Sequence, residues 1–280
     1  MSTPSPSSSL VCAFAVTRTP PPAGLPAAAG HEEGGPLRQL PAGDLWLVVQ
    51  DVPVAAFGEA ALGERLNRPA DLERCARAHH RTVEAAARTG PVVPLPMATL
   101  YRSDEGAVDA VTSRAAALRA LLDRLRGRTE WAVKVHAAQV PAEGAGEAEE
   151  AGAEDAGGSG GRSYLSRASA RRRVRQDGHG RAVAAAEAVD AELRRYAVAA
   201  TRHRPQSERL TGRRAPQLLN AAYLVDDARR EDFAAALARL GGAGGPAGVE
   251  VGASGPWVPY SFARWDEEGD PEPEREVVRP

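Results

Sequence analysis

The 280-residue sequence predicts an α+β fold in two domains, and three observations carry that reading. The length is comfortable for two hydrophobic cores. Short apolar runs of strand length alternate with longer stretches whose apolar residues recur every three or four positions, as on one face of a helix. The 28 glycines and 22 prolines gather in a few segments, which sets low-complexity stretches beside foldable ones.

The first domain spans residues 1–127. Leu10 to Val16 (LVCAFAV) is a short, continuously apolar strand, broken by Pro20, Pro21 and Pro22. Residues 19–36 form a Pro/Ala/Gly-rich loop. Leu45 to Val52 is a second strand, stopped by Pro53. Asp71 is placed to cap a helix that runs to about Thr89, with Leu72, Cys75, Ala76, Val83, Ala86 and Ala87 on its apolar stripe and His79 among them. Val92 to Tyr101 is apolar but carries Pro94 and Pro96, which makes it an edge strand or one broken by a bulge. A helix over Glu105 to Arg126 repeats Val108, Val111, Ala115, Leu118, Leu122 and Leu125, and Gly127 supplies its stop.

The second domain spans residues 128–263. Glu130 to Ala137 alternates Trp131, Val133 and Val135 with Lys134 and His136, the pattern of a half-buried strand. Residues 142–161 hold six acidic residues and no basic ones among Ala, Gly and Ser, so they are expected to be a disordered insert. A long Arg-rich helix follows from about Arg162 to Arg195; Tyr196 to His203 is either its end or a short strand. Gln217 to Val225 is a strand. Asp226 or Asp227 then caps a helix whose Phe233, Ala236, Leu237 and Leu240 share one face, and Gly248 to Ser254 is a last strand. With a strand at Tyr196 to His203 this order is β-α-β-β-α-β, the ferredoxin-like arrangement of an antiparallel sheet with two helices on one face. The first domain fits a modified form of that plan, its first helix replaced by the Pro-rich loop. An acidic tail, residues 264–280, is expected to be disordered.

A net charge of −2 gives the molecule no overall attraction to nucleic acid or anionic lipid. Cys12 and Cys75 lie in apolar runs without metal-ligand spacing, as buried thiols in a reducing cytosol would. Residues 1–9 have no basic n-region of a signal peptide, and no stretch approaches the roughly 20 apolar residues of a membrane span, so the expected location is cytoplasmic. No phosphate-binding Gly loop, nucleophile elbow or zinc-protease motif occurs, and neither an enzyme, a cofactor nor a metal is expected. A catalytic role for His79 and His80 would need a nucleophile or carboxylate partner, and His79 sits on the helix's apolar stripe, which favours a hydrogen-bonded core or domain-interface role for it. The run Arg167, Arg171, Arg172, Arg173 and Arg175 lacks the interleaved aromatics of a nucleic-acid surface and reads as a solvated helix face.

Three stretches resemble the gas-vesicle L/F family and, with the pattern between them, cover about residues 45 to 263. The first is Ala76-Arg77-Ala78-His79 through Val83-Glu84-Ala85, Gly90-Pro91-Val92-Val93-Pro94-Leu95 and Thr99-Leu100-Tyr101-Arg102-Ser103. The second is Trp131-Ala132-Val133-Lys134-Val135 with Gly161-Arg162-Ser163-Tyr164-Leu165. The third and most specific is Leu219-Asn220-Ala221-Ala222-Tyr223-Leu224-Val225-Asp226, completed by Gly255-Pro256-Trp257-Val258-Pro259-Tyr260-Ser261-Phe262. The chain departs from typical members in carrying Met97-Ala98-Thr99 where they have Arg-Phe-Gly. The resemblance implies a two-domain α+β protein with a ferredoxin-like second half. It also implies an accessory part in building gas vesicles, with the hydrophobic shell protein, and other vesicle accessory proteins, as expected partners. Gly255 to Phe262 is the candidate contact: two prolines hold it extended and space Trp257, Tyr260 and Phe262, aromatic anchors of the kind favoured at interfaces. The competing reading makes this segment a structural clasp packed between the domains. A small-ligand-binding regulatory protein with ferredoxin-like domains is the alternative function.

Overall fold

The computed structural model describes residues 9–20, 25, 30–138, 160–204 and 215–263. The acidic tail and, up to residue 159, the acidic insert lie outside the described residues. The chain divides into two compact units. The described parts are residues 9–130 with 256–263 in the first and 131–255 in the second. The C-terminal segment, assigned from sequence to the second domain, thus groups with the first unit.

In the first unit β1 (Ser9–Thr17), β2 (Leu37–Ala42), β3 (Leu45–Pro53) and β4 (Val92–Tyr101) form a sheet in the order β2-β3-β1-β4, with adjacent strands antiparallel. β2 was not foreseen: Leu37–Ala42 mixes Arg, Gln and Pro, but a two-residue turn at Gly43-Asp44 pairs Ala42 with Leu45. Gly43 takes a positive φ of 69°, as the first position of such a hairpin favours. β4 is an edge strand and is bulged. Its register against β1 jumps from Thr99 to Pro94, and Ala98 sits at φ 65° within the jump, a conformation costly for any residue with a Cβ.

Three helices, α1 (Val54–Phe57), α2 (Glu59–Asn67) and α3 (Pro69–Ala87), lie between β3 and β4; the first two were unforeseen. Asp71 does not cap α3. Pro69, with its pre-set φ and no N–H to satisfy, starts the helix, and Asp71 pairs with Arg74 one turn on. The buried face of α3 is Cys75, Ala78, His79, Thr82, Val83, Ala85 and Ala86, while Leu72 and Ala76 are exposed. The helix expected over 105–126 is two, α4 (Asp104–Thr112) and α5 (Ala115–Leu125). The break falls at Ser113, whose hydroxyl turns back onto the Ala110 carbonyl, and at Arg114, which leaves helical dihedrals. One sheet face packs Cys12, Phe14, Val48 and Val52 against Phe57, Val83 and Ala86. Strand alternation sends Leu47 and Val49 to the other face, the side of the buried Val111, Leu118 and Leu122 of α4 and α5.

In the second unit β5 (Arg128–Ala137), β6 (Ala199–Arg202), β7 (Gln217–Asp226) and β8 (Val249–Trp257) form the antiparallel sheet β6-β7-β5-β8, with α6 (Gly160–Arg194) between β5 and β6 and α7 (Arg230–Gly241) between β7 and β8 in sequence. In both sheets the strands therefore run second, third, first, fourth, the ferredoxin-like order. Tyr196 to His203 resolves into a helix end followed by β6. α6 begins at Gly160, two residues inside the expected insert. Its buried residues Ala182, Ala186, Val189 and Leu193, spaced by four, three and four, seat it on the core beside Tyr223 and Phe233. Arg172 and Arg173 are exposed. No Asp side chain caps α7: a 3₁₀ turn, Asp227–Arg229, intervenes, and Asp227 pairs with Arg230.

One ionic group sits inside this second core. Asp190, 2% exposed, accepts hydrogen bonds from the Tyr223 hydroxyl, from Arg202 at 2.6 Å and from Arg194 at 3.0 Å. Burial disfavours its charge, but these donors more than offset that and hold the carboxyl below its usual range. Removing one partner of such a group strands the others, so Asp190→Ala should cost about 3–5 kcal/mol in urea unfolding of the second unit. A cost below about 1 kcal/mol would mean that the network is incidental to the fold.

Candidate functional site at the C-terminal segment

The end of β8 and the segment after it owe their path to backbone chemistry. Gly255, at φ 141°, and Pro256 follow one another, and a short 3₁₀ turn, Tyr260–Phe262, ends the described chain. Ser261 anchors it: its backbone N–H donates to Glu130 Oε2 at 2.8 Å and its hydroxyl to Glu130 Oε1 at 2.7 Å. Glu130 is buried, which raises its pKa, and the two bonds from Ser261 oppose the rise. A carboxylate that accepts two bonds from one residue fixes that residue's position and orientation together.

Val258 and Tyr260 pack against the first core, and Phe262 is buried at 7% exposure. The Tyr260 ring lies 5.9 Å from His80 and 6.5 Å from His79. Its hydroxyl is 3.2 Å from His80 Nδ1, and His80 Nε2 is 3.2 Å from Glu84. Burial, with Glu84 and Glu130 nearby, pushes the Tyr260 phenol well above its usual value. Trp257 meets His80 edge-on at 5.5 Å and remains 38% exposed. Of the three sequence-selected aromatics, Tyr260 and Phe262 therefore point inward, while Trp257 presents a large part of its indole outward.

Beneath Tyr260 the ring chain continues inward. His79 stands 5.6 Å from Phe14, and Phe14 5.6 Å from His31, which leans on Phe57 at 4.8 Å. His31 is held by Gln50, buried in β3, whose amide bonds His31 N–H, His31 C=O and Gly35 C=O. A Cβ at Gly30 or Gly34 would come within 2.6 Å of that amide, so a larger residue there would have to displace the Gln50 side chain from its three hydrogen bonds. His79 is buried, as expected of a core residue, but neither ring nitrogen has a well-placed partner among the described residues, and the Leu95 backbone compensates only in part. Sequence reasoning missed Glu130, Ser261, His31 and His80 as members of this site. Among the described residues no group of three or more His, Cys, Asp or Glu stands placed to hold a metal, and no helix is long and apolar enough to cross a membrane.

The architecture is thus a pair of ferredoxin-like α+β units, one of which is completed by the chain's C-terminal segment. The model of the gas vesicle synthesis protein GvpL/GvpF family matches residues 11–264, and the chain belongs to that family. It is 41% identical over 255 residues to gas vesicle protein L of Streptomyces sp. (strain CB03234), covering 91% of this chain and 93% of that protein. Its fold is that of crystal structures of the gas vesicle protein GvpF. The Anabaena sp. PCC7120 protein superposes with a TM-score of 0.63 at 16% identity, covering 95% of this chain and 100% of that one. The Microcystis aeruginosa protein gives 0.57 at 16% identity, covering 92% and 100%.

Burial lowers the pKa of both His31 and His79 from 6.5 to about 4. The unfolded chain takes up each proton near pH 6.5 and the folded chain only near 4. Stability contributed by the neutral rings is therefore complete above pH 6.5 and declines as the pH falls toward 4, by about 1.4 kcal/mol per pH unit for each ring. Glu130, with its raised pKa, acts in the opposite direction. His79→Leu should make the urea midpoint measurably less sensitive to pH between 6.5 and 5 than in the parent chain; an unchanged slope would contradict a neutral buried His79.

Proposed function

We propose that this chain is a gas vesicle accessory protein that binds the hydrophobic vesicle shell protein and supports nucleation and assembly of the vesicle, and that Trp257 is its anchor for that partner. The observation that carries the reading is Trp257, more than a third exposed and set against His80 beside Tyr260 and the Glu130–Ser261 clamp, in a chain of the GvpL/GvpF family. A shell subunit that must pack into a wall carries apolar surface before assembly, and a preorganised aromatic loses little conformational entropy on meeting it. Tyr260 and Phe262 serve the contact from beneath, as the parts that hold Trp257 in place. The location that goes with this role is at the vesicle, and no nucleic acid or membrane partner enters it.

Apolar burial survives salt, whereas a charge-steered interface weakens as the Debye length falls from about 10 Å at 0.1 M to about 3 Å at 1 M. Capture of the shell subunit should persist from 0.1 M to about 1 M NaCl and be lost in mild detergent. Trp257→Ala should weaken capture about tenfold or more and shift the melting temperature by no more than a few degrees, because the side chain is only partly buried. Tyr260→Ala should lower capture and stability together. Loss of capture in high salt, or full capture by Trp257→Ala, would contradict the proposal.

A further inference from the structure

A second site lies on the first unit, on the outer side of the loop that Gln50 holds. α3 carries Arg74, Arg77 and Arg81 at steps of three and four, so three guanidinium groups share one helix face on successive turns. Arg65 joins them from α2, and the four arginines line one pocket with the His31–Glu33 loop, above the buried Cys75 and Ala78. The pocket encloses about 80 Å³. Cavities that hold a cofactor or a drug-sized molecule run to about 300–1,000 Å³, so this one takes a single small group.

Its charge selects the chemistry of that group. Arg65 is fixed, bonded to Glu33 at 2.7 Å and stacked over Phe57 at 4.8 Å. Among the described residues Arg77 pairs with Glu73 in an exposed pair that exchanges readily for a better ligand, and Arg74 pairs with Asp71, a largely covered carboxylate that Arg68 also reaches. Arg81 makes no hydrogen bond or ion pair among the described residues, and it follows Arg77 by four positions, where like charges repel. The facing loop adds only Glu32 and the committed Glu33 as negative charge. The neutral floor leaves a docked anion to the arginines alone.

The geometry points to an oxyanion site, in which Arg81 and Arg65, with Arg74 and Arg77 released from their helix partners, hold one phosphate- or carboxylate-sized group. Guanidinium forks match both groups with paired N–H donors, which a cation or an apolar moiety cannot use. The inference is independent of the shell-binding reading, since it shares none of Trp257, Tyr260 or Phe262.

The test is calorimetric titration of the full chain with inorganic phosphate, with NaCl balancing the ionic strength throughout. Saturable binding is expected. Arg81→Gln should weaken it about tenfold or more, Arg81→Lys by less, and Arg172→Gln, an exposed arginine of α6 in the other unit, not at all. Circular dichroism checks that each variant is folded. Parallel titrations with glycerol phosphate and acetate assign the source: tighter binding of the ester means a phosphoryl group carried by a larger molecule, and tighter binding of acetate means a carboxylate. Absence of saturable binding by all three anions, equal binding by Arg81→Gln, or equal loss in Arg172→Gln would overturn the site.

Discussion

The hydrogen bonds between Ser261 and Glu130 join residues 131 positions apart, and the first unit depends on that closure. The sheet β2-β3-β1-β4 and helix α3 leave Phe14 and His79 near one end of their shared core. His31 stacks on Phe14 from within the unit, and Tyr260 adds a ring beside His79, with Val258 also packed on that core. The unit is therefore discontinuous in sequence, its last piece following residues 131–255 of the second unit. A buried carboxylate suits this task. It forms two directional bonds to one residue, so it fixes both the position and the rotation of the turn that carries Tyr260 and Phe262.

Burial of Tyr260 decides what remains outside. With Tyr260 and Phe262 turned inward across the short turn and the strand ending at Trp257, the indole lies against the edge of His80 and faces solvent with more than a third of its surface. The three aromatics thus differ in burial: Tyr260 and Phe262 turn inward, and Trp257 keeps 38% of its surface exposed. The cost lies beneath them, at His79, a buried imidazole whose nitrogens are poorly served and which is kept neutral by its surroundings.

The second unit was legible because its signals are local. The alternation around Val133, the spacing of Ala182, Ala186, Val189 and Leu193, and the stripe of Phe233, Ala236 and Leu237 each mark one element with one period. The first unit was less so. β2 hides behind Arg38, Gln39 and Pro41, residues whose places are set by neighbours: Arg38 by Asp51 and Asp104, Pro41 by the hairpin to β3. Asp71, Asp226 and Asp227 all stood where caps belong, yet Asp71 and Asp227 found arginines in the next turn instead. In the C-terminal segment the aromatics were legible in the sequence, but prolines remove the periodicity from which an inward or outward direction could be read. Glu130 carried no signal at all, since its partner lies half a chain away.

Amide hydrogen exchange on the full chain and on a chain ended after Gly255 tests most directly whether the C-terminal segment completes the first unit. Protection should fall in β1, β3 and α3 of the shortened chain while the amides of β6, β7 and α7 keep theirs. Protection lost mainly from β6, β7 and α7, or unchanged in both units, would contradict that completion.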